Sequence, residues 1–141
     1  MNRCITAAFA ALLAISCTTA YQPSGATGGF SEVKLSETSY QVRFRGNGYT
    51  GPGQVQQFML RRAAELALEN GYRYFTTDVP QNLDRRDIWM QYSERGVTVR
   101  FSQQATAETA DAVTVIESTN QAANGRLSEK AAAELARLKA Q

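Results

Sequence analysis

The sequence predicts an α+β fold: an antiparallel sheet of four to five strands packed by one central helix, with a short C-terminal helix. Three observations carry this. Residues 40–45, 88–92 and 97–101 alternate apolar and polar side chains, the period of strands wetted on one face. One long stretch, residues 54–70, instead repeats apolar residues at helical spacing. The order strand–helix–strands, with arginines on the wet phases, argues against a parallel sheet, whose strands are buried on both faces and nearly all apolar.

Each element has its own justification. Phe30, Val33 and Leu35 begin a short first strand. Tyr40, Val42 and Phe44 alternate with Gln41, Arg43 and Arg45, and Gly46-Asn47-Gly48 breaks that strand. Gly51-Pro52-Gly53 opens the helix, because proline is tolerated in the first turn, where its missing N–H has no partner to lose. Val55, Phe58, Met59, Ala63, Leu66 and Ala67 form its apolar stripe, widened by Leu60, Ala64 and Leu68. Arg61 and Arg62 with Glu65 are expected as weak exposed pairs. Gly71 supplies the left-handed residue that ends the helix. Residues 72–79 form the next strand and 80–86 a polar loop. Residues 88–92 and 97–101 then read as a hairpin around a Glu94-Arg95-Gly96 turn. Residues 103–109 are a loop, 112–117 a further strand and 118–126 a polar, mobile connector. Residues 127–140 are a short helix capped by Ser128, with Leu127, Ala131, Leu135 and Leu138 as its stripe.

Ahead of the domain the chain reads as an address. Met1-Asn2-Arg3 is a positive start, and residues 4–16 are an apolar run too short to span a bilayer but right for a signal-peptide core. The run ends at Leu13-Ala14-Ile15-Ser16-Cys17, the pattern of a lipobox, with Ala14 where leucine is usual. In that pattern the cysteine is lipidated after cleavage, so Cys17 is the candidate lipidation site. A plain secretory cut after Ala20 is the alternative, since Thr18-Thr19-Ala20 also offers small residues. The expected organisation is a signal peptide over residues 1–16, a flexible tether over 17–31 and a single domain over 32–141. Cys4 leaves with the signal peptide.

Composition narrows the chemistry. The 141 residues carry 15 Lys and Arg against 13 Asp and Glu, which gives no general attraction to nucleic acid. The absence of histidine removes the commonest general base and metal ligand. The two cysteines, Cys4 and Cys17, cannot staple the domain. No cofactor or metal is expected.

Gly46-Asn47-Gly48-Tyr49-Thr50-Gly51 matches the letters of a dinucleotide fingerprint, with Asp78 at the end of the next strand. The preceding strand carries Arg43 and Arg45, unlike the buried parallel strand such a site needs, and the stretch reads as a turn. Asp84 and Asp87 flank Arg85 and Arg86 and would serve acid–base chemistry if buried together, but in a solvated loop they compensate neighbouring charge. Trp89 reads as cover for a second sheet face rather than as a binding platform. Arg43, Arg45, Arg73 and Arg100 fall on the polar phases of three strands and form a candidate binding surface for an anionic glycan or an envelope protein. Ordinary solvated sheet faces look the same.

Tyr21-Gln22-Pro23, Gly28-Gly29-Phe30-Ser31, Tyr40-x-Val42-x-Phe44-x-Gly46-Asn47-Gly48-Tyr49-Thr50 and Arg62-Ala63-Ala64-Glu65-Leu66-x-Leu68-x-x-Gly71-Tyr72-x-Tyr74-Phe75 resemble a family of small Gram-negative lipoproteins of unknown function. The resemblance runs from Cys17 to about Phe75. It implies an outer-membrane anchor facing the periplasm, with Thr18 after the cysteine favouring that membrane, and it implies no catalytic residues. The expectation is a lipid-anchored, non-catalytic binding or envelope-assembly module. The alternatives are a periplasmic hydrolase of envelope sugars working through Asp84 and Asp87, and an unanchored secreted protein.

Overall fold

Alternation along residues 39–46 builds the first central strand. The structure, a computed structural model, describes residues 18–78 and 93–141. Strand β2 (Ser39–Gly46) pairs antiparallel with β1 (Gly29–Ser36) on one side and β4 (Ser93–Ser102) on the other. Val42 and Phe44 turn inward and are fully buried, while Arg43 turns to solvent. The register sets Val42 against Val97 and Tyr40 against Val99, so both strands send apolar side chains to one face. Strand β3 (Tyr74–Thr77) adds Phe75 opposite Phe101, and the two-residue β5 (Ala110–Asp111) closes that side. Among the described residues the sheet has five strands in the order β1-β2-β4-β3-β5, and every pairing between them is antiparallel. With its helices it is the α+β arrangement that the sequence predicts.

Helix α1 (Pro52–Glu69) lies on the inner face of the sheet. It ends as its sequence directs: Gly71 adopts φ +80°, Gly71 N donates to the Leu68 carbonyl at 3.0 Å, and Tyr72 N donates to the Ala67 carbonyl at 2.9 Å. These two bonds satisfy carbonyls that a helix end otherwise leaves open. Helices α2 (Ala112–Thr119) and α3 (Glu129–Lys139) cover the opposite side of α1. Every residue from 61 to 68 is consequently buried. The helix is central, as expected, but enclosed on both sides rather than half-wetted.

Four local expectations differ from the structure. Residues 112–117, expected as a strand, open α2: Asp111 accepts from Val113 N at 2.9 Å, and Ala112, Ile116 and Thr119 bury at helical spacing. The β-branched run Val113-Thr114-Val115-Ile116 favours a strand only when no cap competes. Glu94-Arg95-Gly96, expected as a turn, is part of β4 and pairs with Arg45, Phe44 and Arg43. The expected partner strand, Ile88 to Tyr92, and with it Trp89, lies outside the described residues. Residues 118–126, expected to be mobile, end α2 in a hydrogen-bonded turn: Ala123 is buried, Ala123 N donates to the Thr119 carbonyl at 3.1 Å and Gly125 N to that of Asn120 at 2.9 Å. The expected tether over residues 17–31 is anchored to the domain at Thr19, Tyr21, Gly28 and Gly29, with residues 23–27 exposed between them. Thr19 is 2 % exposed and Tyr21 5 %, and Phe30 N donates to the Gln22 carbonyl at 2.8 Å.

Gly28 and Gly29 explain that packing. Their φ values are +104° and +127°, a region open to glycine. A Cβ on Gly28 would sit 2.2 Å from the Arg45 carbonyl oxygen, and one on Gly29 would sit 2.4 Å from that of Gln22. The pair brings two stretches of backbone together, whereas in the sequence alone it reads as flexibility.

Candidate functional site

The site is built where the N-terminal segment crosses α1. Tyr21 inserts its ring between Phe30, at 4.9 Å between centroids, and Phe58, at 5.4 Å. Phe58 in turn meets Phe44 at 5.0 Å, so the aromatic row continues into the core. The Tyr21 hydroxyl is buried beside the Glu65 carboxylate and forms no hydrogen bond of ordinary geometry among the described residues. Burial, then the nearby Glu65 carboxylate, push its ionisation far above the usual tyrosine range.

Beside it lies a charged network on α1. Arg62 bonds Glu32 through two nitrogens, at 2.8 and 3.3 Å, a bidentate grip on strand β1. Its Nη1 also reaches Glu65 at 2.8 Å and Glu69 at 3.0 Å. The guanidinium stacks 4.9 Å over the Phe30 ring. Burial works against its charge, but the hydrogen bonds it donates to Glu32 and Glu65 outweigh that and hold it more firmly protonated than usual. Arg61, fully buried, bonds Glu65 at 3.2 Å, the Ile116 carbonyl at 2.7 Å and the Arg126 carbonyl. It ties α1 to α2 and to the α2–α3 connection. The exposed Arg61–Arg62–Glu65 pairs expected from sequence are therefore interior struts. Ser128 donates to Glu69 at 2.6 Å while capping α3 through Ala131 N.

These residues frame an open cavity of about 700 Å³. Tyr21, Pro23, Phe30 and Leu127 give it apolar walls; Glu32, Glu65, Glu69, Arg62 and Arg126 give it charge. Three carboxylates face two guanidiniums, so the lining leans acidic. All three carboxylates bond Arg62, and no group of three or more metal-ligating side chains is placed to hold a metal ion among the described residues. The cavity is suited to a ligand that sets an apolar group against the walls and hydrogen-bond donors against Glu32 and Glu69.

The four arginines expected as a binding surface are distributed differently. Arg43 and Arg45 are neighbours on the outer face of β2; Arg43 approaches Gln41 at 3.4 Å and Arg45 donates to the Gly25 carbonyl at 2.9 Å. Arg100 stands opposite Ser39, whereas Arg43 stands opposite Gly96. Four strand residues, about 13 Å, therefore separate Arg100 from Arg43 along the sheet. Arg100 pairs with Asp78 at 2.9 Å. Arg73 precedes β3 and pairs with Asp111, at the far side of the sheet, also at 2.9 Å. The structure brings Arg43 and Arg45 together and leaves Arg73 and Arg100 in separate ion pairs. Cys17, Asp84 and Asp87 lie outside the described residues.

Sequence reasoning missed the cavity because two of its walls were assigned to solvent, the segment around Tyr21 and the charges of α1. A signal was present. Ala63, Ala64, Leu66, Ala67 and Leu68 leave the second half of the helix without a consistently polar face, so charges interleaved among them must find partners inside. The chain shows no significant match to any protein-family model, curated protein or solved structure.

Proposed function

We propose that the protein is a lipid-anchored, non-catalytic binding module of a Gram-negative cell envelope, held to the outer membrane through Cys17 and facing the periplasm. The lipobox ending at Cys17 supports the anchor and its resemblance to small lipoproteins supports the location. Among the described residues no helix is long and apolar enough to cross a membrane. The observation that carries the binding role is the cavity beside Tyr21, with apolar walls and an acidic lean.

The partner favoured by this lining is a segment of another envelope protein. At Phe30 the outer edge of β1 is already paired, its N–H with Gln22 and its carbonyl with Ser24, so an extended peptide can lie along the strand only beyond Phe30, where Ser31 and Glu32 line the cavity rim, and drop a side chain into the cavity. Backbone N–H groups or a lysine of the peptide would satisfy Glu32 and Glu69. An anionic glycan is disfavoured by the three carboxylates. In-cell photo-crosslinking tests this, with the reactive group placed at Ser24 or Leu127 on the cavity and at Arg43 on the opposite sheet face. Capture of one envelope protein from Ser24 and Leu127, but not from Arg43, is the expected result. Capture from Arg43 alone would move the site to the arginine face.

A further inference from the structure

The folded domain starts very close to Cys17. Thr19 is buried, its N–H donates to Thr50 Oγ1 at 2.9 Å, and its Oγ1 accepts from Asn47 N at 2.8 Å and donates to the Thr27 carbonyl at 3.0 Å. Only Thr18 separates it from Cys17. Two extended residues span about 7 Å at most. A domain on a long tether samples every orientation; one on so short a link presents the face around Thr19 to whatever holds Cys17.

That face is the connection between β2 and α1. Thr19 bonds Asn47 and Thr50, the residues on either side of Gly48-Tyr49. The turn is braced from within: Tyr49 N and Thr50 Oγ1 both donate to Asn47 Oδ1, at 3.1 and 2.9 Å, and Thr50 N donates to the Asn47 carbonyl at 2.9 Å. The bracing holds Tyr49 outward at 74 % exposure, more than Val33 or Leu35, the other large exposed apolar residues among those described. Residues 46–51 carry no charge, so the turn can enter a headgroup layer without stripping water from an ion. A tyrosine, with an apolar ring and a polar tip, suits that layer.

We propose that this turn, with Tyr49 at its tip, is a seat that rests in the headgroup region of a phospholipid bilayer and fixes the orientation of the domain. The proposal rests on the reading of Cys17 as the lipid anchor. Seating leaves the cavity, reached through Tyr21 and Pro23, close above the membrane surface.

The test uses the mature lipidated protein in vesicles of phosphatidylethanolamine and phosphatidylglycerol. Its only free thiol is introduced as Tyr49→Cys or, for comparison, Val33→Cys, and carries an environment-sensitive fluorophore. Both sites are exposed, so both variants fold. The expected result is a blue shift at position 49, with most of the emission lost to lipids quenching at headgroup depth, and neither effect at position 33. Intact mass reports the acyl group in the same samples. Acyl mass present with position 49 reading as water overturns the seat and leaves the anchor standing. Equal quenching at both positions, or crosslinking of position 49 to a protein in cells, also overturns it. Absent acyl mass overturns the anchor reading and the seat together.

Discussion

Tyr21 joins a full share of aromatic packing to a buried hydroxyl that lies beside Glu65 without a hydrogen bond of ordinary geometry. Removing that hydroxyl therefore costs little, and Tyr21→Phe should match or exceed wild-type stability at pH 7 in a denaturant titration. The same group makes the fold sensitive to alkali. Its ionisation is raised by burial and by Glu65 in the folded state, while the unfolded phenol titrates near pH 10. The stabilisation is thus fully present below about pH 10 and declines above it by up to about 1.4 kcal/mol per pH unit. Tyr21→Phe should unfold at higher pH than wild type; coincident alkaline transitions would show that the ring is not buried as described. Glu65, 2 % exposed, bridges both α1 arginines. Glu65→Ala should cost about 3–5 kcal/mol, since it strands buried guanidiniums. Glu32→Ala, on a partner 28 % exposed, should cost about 1 kcal/mol. Equal losses in thermal melts would mean that the network is wet.

At the scale of elements, the N-terminal segment is the one whose character changes most between sequence and structure. Gly28→Ala should cost about 1–3 kcal/mol or more, because the position needs φ +104° and has the Arg45 carbonyl against it. Gly25→Ala, with open space around it, should stay within about 0.5 kcal/mol. Equal melting temperatures for the two variants would restore a loose tether. Helix α1 was legible from sequence in position, start and stop, because Pro52, Gly71 and the apolar spacing all act locally. Leu66, mid-stripe and 3 % exposed, should lose about 2–5 kcal/mol as Leu66→Ala. The helix's second covered side was not legible. It depends on α2, whose β-branched residues resemble a strand until the Asp111 cap is seen. The cavity was hidden for a related reason: a glycine pair, a tyrosine and an Arg-Arg dipeptide each have a common exposed role, and only tertiary closure gives them a buried one.

At the scale of the whole molecule, the proposed lipid anchor makes attachment depend on a single thiol. Cys17→Ala should abolish fatty-acid labelling and leave precursor, or a soluble chain cut inefficiently after Ala20, while Cys4→Ala changes neither. Fractionation with intact mass checks both, and a wild-type chain beginning at Tyr21 without acyl mass would end the lipoprotein reading. The Arg61 strut has a different consequence, in time rather than in space. Its guanidinium is matched by carbonyls 55 and 65 residues further along. Such distant contacts make a domain slow to close. The first half of the chain can form its helix and hairpin early, but Arg61 then has only Glu65, and its carbonyl partners arrive with Ile116 and Arg126. A chain broken off before Arg126 therefore lacks one of the carbonyls that hold Arg61 in this core.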